Sequence, residues 1–110
     1  MFLDFDRIHE LNNLIGYDEV DKRIRATLNI NFRSSDLVAR WYSGDEIVIL
    51  LDGEGDIASK KIQELRDNAG RNGLSFKYNM GTWNVGKEKI EDVISCLSKN
   101  LKRKTLEAKP

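Results

Sequence analysis

Five consecutive apolar residues, Ile47-Val48-Ile49-Leu50-Leu51, constrain this chain more than any other stretch of its sequence. They do not alternate with polar residues, so they read as a central strand covered on at least one face. A central strand needs neighbours. "DLVARWY" (36–42) precedes it and joins it tightly at Ser43-Gly44, which predicts a hairpin. "MFLDF" (1–5) and "LSFKYNMG" (74–81) supply two more strands.

Helical spacing fills the intervals. Residues 6–15 place Ile8, Leu11 and Ile15 on one face, with Gly16 to end the helix, and Asp18 can cap a second helix through about residue 30. Residues 56–69 carry Ile57, Ala58, Ile62, Leu65 and Ala69 on one side, with Asp56 as cap and Gly70 as exit. Ile90, Val93, Ile94, Leu97 and Leu101 predict a last helix over about 87–103. The order β-α-α-β-β-α-β-α predicts an α/β (α+β) ferredoxin-like sandwich with helices on one face of an antiparallel sheet. One domain is expected over 1–104, followed by a tail at 105–110.

The 18 basic and 18 acidic side chains cancel. No nucleic-acid or membrane partner is therefore expected from global charge, and any phosphate site must be local. A single cysteine, Cys96, excludes an internal disulfide, and one histidine, His9, gives no zinc cluster. The start "MFLDFD" lacks the basic region and apolar run of a signal peptide, and no stretch approaches the roughly 20 apolar residues of a membrane span. A cytoplasmic protein is the expectation.

In this topology the end of the first strand lies beside the hairpin tip, so Asp4 can face Asp45 and Glu46. Acids at a turn are often only solvated. Three together offer hard oxygen donors, and Mg²⁺ favours a few carboxylates completed by water and substrate phosphates.

"SGDEI" (43–47) resembles the signature of the GGDEF family, the diguanylate cyclases, whose domains share a palm-like fold with adenylyl cyclases. The likeness extends in order along residues 2–104. "LDFDRIHELNN" (3–13) is similar to the family's Asp-x-Asp-x-Phe-Lys-x-Ile-Asn-Asp segment, and "GYDEVD" (16–21) to its Gly-His-x-x-Gly-Asp. "YNMG" (78–81) stands at its Ser-x-Gly strand, and "EDVISCLSKNLKR" (91–103) at its terminal helix.

The resemblance implies a nucleotidyltransferase that condenses two GTP into c-di-GMP at a homodimer interface, with two Mg²⁺ or Mn²⁺ ions per active site. Asp4, Asp45 and Glu46 would be catalytic acids and metal ligands, with the Phe5 carbonyl beside them. Asn12 and Asp21 would read guanine. Ser43 and Gly44 would let a phosphate approach, backbone amides near Arg7 and Ile8 would meet phosphates, and Lys99 with Arg103 would hold the triphosphate. Arg33 and Asp36, in "RSSD", resemble a product-inhibition site; a salt bridge at the start of a strand is the other reading. Asn12 and Asp21 can equally be helix-surface polars, and the Lys99–Arg103 pair can complement a helix dipole.

The sequence departs from the family at Ser43, Ile47 and Tyr17. One extra residue in "RWY" lies between Asp36 and the signature, where a bulge is one way to absorb it. Two other functions remain open at this point. One is a non-catalytic guanine-nucleotide receptor. The other is a minimal CRISPR-type polymerase palm making a different cyclic oligonucleotide.

Overall fold

Along the chain run β1 (Phe2–Phe5), α1 (Ile8–Ile15), α2 (Tyr17–Leu28), β2 (Leu37–Trp41), β3 (Glu46–Leu50), α3 (Gly55–Arg71), β4 (Phe76–Asn79) and α4 (Ile90–Glu107), in the expected order. This computed structural model describes residues 1–41, 45–53 and 55–107, with the side chains of α4 through Lys102. The strands form one antiparallel sheet in the order β2-β3-β1-β4, the ferredoxin-like arrangement.

The apolar run lies in β3, one of the two inner strands, and its lack of alternation has a direct cause. Ile47 and Ile49 share a face with Leu3 and Phe5 and meet Ile8, Val20, Ile24, Ile62, Leu65 and Ala69 from α1, α2 and α3. Val48 and Phe2 face the other way, onto Ile94 and Leu101 of α4. Both faces of the inner strands are therefore buried. The expectation that helices cover one face holds for α1 to α3 and is corrected for α4, which packs on the opposite face. A helix after the final strand has no returning strand to fix its side, and Phe2 and Val48 offer it an apolar seat. Each such fully buried side chain contributes about 1.5–3 kcal/mol.

Two cap assignments also change. Asp18 and Asp56 lie inside the first turns of α2 and α3 and are not their caps; there they complement the positive end of the helix dipole. The exit of α3 is Gly73, beyond the expected Gly70. Gly73 has φ 69°, its N–H donates to the Gly70 carbonyl at 3.2 Å, and the Leu74 N–H donates to the Ala69 carbonyl at 2.8 Å. This paired bonding, with buried Ala69 and Leu74 at its base, is a Schellman motif.

The β2–β3 ladder runs regularly from Leu37↔Leu50 to Trp41↔Glu46. The extra residue of "RWY" makes no bulge in this ladder. Tyr42, Ser43 and Gly44 lie outside the described residues. The stretch expected as a tail begins inside a helix, since α4 continues to Glu107.

Candidate active site

Strand alternation puts Phe2 and Asp4 on the α4 side of β1. Phe2 is covered by α4, and Asp4, two residues on, lies at the end of the strand, half-buried. Its cross-strand partners are Glu46 on β3 and Lys77 on β4. Side chains so paired have Cβ atoms about 4.5–5.5 Å apart. The Phe5 N–H donates to the Asp45 carbonyl at 3.1 Å, which docks the end of β1 against the signature hairpin. The expected meeting of Asp4 with Asp45 and Glu46 is therefore built by strand register.

The electrostatics follow from that crowding. Burial first, then the charges of Asp45 and Glu46, push the Asp4 carboxyl up to about 6, while Lys77 acts in the opposite direction. Asp6 continues the same row. Its Oδ1 forms an ion pair with Lys77 Nζ at 2.9 Å, and its Oδ2 accepts from Ser75 Oγ at 2.9 Å. Among the described residues, no group of three or more acids, histidines or cysteines is ready to hold a metal ion.

Just beyond the row, Arg7 adopts a left-handed conformation, φ 59°, at the turn into α1. This backbone is uncommon for a residue with a Cβ. The Phe5 and Asp6 amides donate to the Asp45 and Ser75 carbonyls. Arg7 and Ile8 stand where a helix begins, and the first N–H groups of a helix have no intrahelical partner.

Asn12 on α1 and Asp21 on α2 are both half-buried, on helices that pack together. Arg40 of β2 donates from Nη1 to Asp21 Oδ1, and Arg25 Nε lies 2.9 Å from Asp21 Oδ2. The Arg40 hydrogen bond above all, with Arg25 adding to it, holds the Asp21 carboxyl below the usual carboxylate range. Lys99 is exposed on α4 and makes no ion pair among the described residues. Arg103 follows it by one turn, with its side chain outside the described set. Arg33 and Asp36 form a closed turn: the Arg33 N–H donates to Asp36 Oδ2 at 2.8 Å, the Asp52 N–H donates to Oδ1 at 3.2 Å, and the Arg33 guanidinium donates to the Asp52 carbonyl. These bonds, led by the Arg33 amide, lower the Asp36 carboxyl. A cleft of about 490 Å³ borders this turn, at the opposite end of the sheet from Asp4.

Asp6, Lys77 and Arg40 join the site without having been expected from the sequence. Asp6 had a signal, the i, i+2 spacing from Asp4 that puts two acids on one face of an extended strand. Lys77 and Arg40 had none, because their partners depend on register between distant segments.

An antiparallel ferredoxin-like sheet, with an acidic row where its first strand meets an acidic hairpin, has the layout of a palm-like domain. Over residues 1–108 the chain matches the family described as diguanylate cyclase, GGDEF domain, and it belongs to that family. Among solved structures it is similar to the diguanylate cyclase SiaD from Pseudomonas aeruginosa, solved in complex with its activator SiaC. The TM-score is 0.68 at 20% identity, over 97% of this chain and 45% of that one. At that identity the likeness is one of fold, and this chain spans less than half of its neighbour's length. No curated protein sequence matches it. No helix among the described residues is long and apolar enough to cross a membrane.

Proposed function

We propose that this domain condenses two GTP molecules into c-di-GMP and two pyrophosphates, one GTP held by each subunit of a homodimer. The observation that carries this reading is the register that sets Asp4 across from Glu46 and the end of β1 against Asp45. The donor set fits a divalent cation. Its oxygens are hard, and the repulsion from Asp45 and Glu46, which adds to burial in pushing Asp4 up to about 6, is what a cation relieves. Mg²⁺ commonly takes only one or two carboxylates and completes its shell with water and phosphate, so a cage of three protein acids is not required.

Asp4, Asp45, Glu46 and the Phe5 carbonyl would hold Mg²⁺ or Mn²⁺. Ions bound there supply charge neutralisation to the triphosphate and acidify the attacking hydroxyl. Asn12 and Asp21 would pair with the guanine edge, Asp21 accepting from N–H groups that adenine lacks. Lys99 and Arg103 would hold the phosphates, with help from the amides at Arg7 and Ile8. Each 3′-hydroxyl gives its proton to solvent water and its oxygen bonds to the α-phosphorus of the other GTP as the bond to pyrophosphate breaks. Either half-site alone holds one substrate, so a monomer is inactive on this reading.

The test is incubation with labelled GTP or ATP and Mg²⁺ or Mn²⁺, with product identification. Labelled c-di-GMP that vanishes in Asp45→Ala is the expected result. A product from ATP with none from GTP refutes the guanine assignment, and GTP binding without any product refutes turnover.

A further inference from the structure

We propose that Arg40 is a positioning residue for base selection, fixing the Asp21 carboxylate as the acceptor that separates guanine from adenine. This rests on the assignment of Asp21 as a guanine reader under the proposed function.

Two guanidiniums converge on one carboxylate, each on its own oxygen. An ionised carboxylate offers about four acceptor sites, so two arginine bonds leave about two for a ligand. Guanine presents adjacent N1–H and N2–H donors on one edge. Adenine presents an acceptor nitrogen and a C–H there. A carboxylate kept anionic and oriented accepts both guanine donors and repels the adenine nitrogen, so the discrimination depends on holding the group in place.

The two arginines hold it differently. Arg25 lies one turn further along α2 and is largely exposed, 71% for its side chain, so it ties Asp21 only to its own helix. Arg40 reaches Asp21 from the sheet, 19 residues away, and its side chain is 36% exposed, about half the exposure of Arg25. It pairs with Ile47 in the ladder, and the next pair is Trp41 with Glu46. The same strand thus braces the base-reading carboxylate from one face and, one residue later, pairs with an acid of the row on the other face. Asp21 remains 39% exposed, so the clamp does not close it to a ligand.

Calorimetric titration of the full chain with the α,β-methylene analogues of GTP and ATP in Mg²⁺ tests this, using wild type, Arg40→Ala, Arg40→Lys, Asp21→Ala and the double alanine variant. The expected result is that Arg40→Ala weakens the GTP analogue by about tenfold and leaves the ATP analogue unchanged. Arg40→Lys recovers part of the loss, and the double variant is no worse than Asp21→Ala alone. Circular dichroism checks folding, and Arg40→Gln carries the same comparison if the alanine variant unfolds. If Arg40→Ala keeps the wild-type ratio of the two analogues, whether or not it weakens both, while Asp21→Ala abolishes that ratio, Arg40 is only an edge-strand ion pair and the guanine assignment stands. If Asp21→Ala itself keeps the ratio, the guanine assignment fails and the role of Arg40 fails with it.

Discussion

Asp4 and Glu46 are cross-strand partners in the β1–β3 ladder, two acids side by side on one face of the sheet. Like charges placed opposite each other destabilise a sheet. The fold keeps them there with hydrophobic packing two residues away, where Phe2 and Val48 pair beneath α4.

The pH dependence follows from that arrangement. Asp4 has a raised carboxyl in the fold, about 6 against an ordinary 3.8, so the folded state binds its proton more tightly than the unfolded state. Its contribution to stability is full below about pH 4 and is lost as pH rises through about 6. Asp4→Asn should therefore stabilise the metal-free domain at neutral pH and change it little at acid pH, measured by urea unfolding at the two pH values. The same variant should lose the rise in melting temperature that Mg²⁺ or Mn²⁺ gives the wild type.

Lys77 opposes the rise at Asp4 and pairs with Asp6. In Lys77→Met the Asp4 carboxyl should titrate above its wild-type value, followed by carboxyl-carbon NMR. An unchanged Asp4 titration would show that the ammonium does not reach it.

Asp36 accepts from the Arg33 and Asp52 amides, and its lowered carboxyl contributes stability above its ordinary range that is lost as pH falls through the folded value. Asp36→Ala should lower the melting temperature at neutral pH, and the deficit should shrink in acid. Differential scanning calorimetry across pH reads both effects.

The two glycines near the end of α3 should respond in opposite directions. Gly73, at φ 69°, accommodates a side chain poorly, and Gly73→Ala should destabilise by about 1–2 kcal/mol. Gly70 lies inside the helix, with open space where a Cβ would go, and Gly70→Ala should stabilise by about 0.5–1 kcal/mol. Chemical denaturation of both variants measures the difference.

Much of this is legible in the sequence because it is local. Apolar spacing marks all eight elements, and the unbroken run 47–51 marks an inner strand. Asp4, Asp45 and Glu46 meet once strand order is known, and the succession of strands and helices around a tight central hairpin implies that order. Boundaries and caps were less legible. A helix can start without a side-chain cap, as α2 does at Gly16, and several glycines can each serve as an exit.

Local pattern along the chain specifies the order of strands and helices, the inner position of β3 and the acids that converge at its start. Hydrophobic period and turn chemistry act over a few residues. Long-range packing and register set α4 on the opposite face, Lys77 beside Asp4, and Arg40 on Asp21. Each of these joins segments far apart in the chain, and a period states which face a residue takes without stating what it meets there.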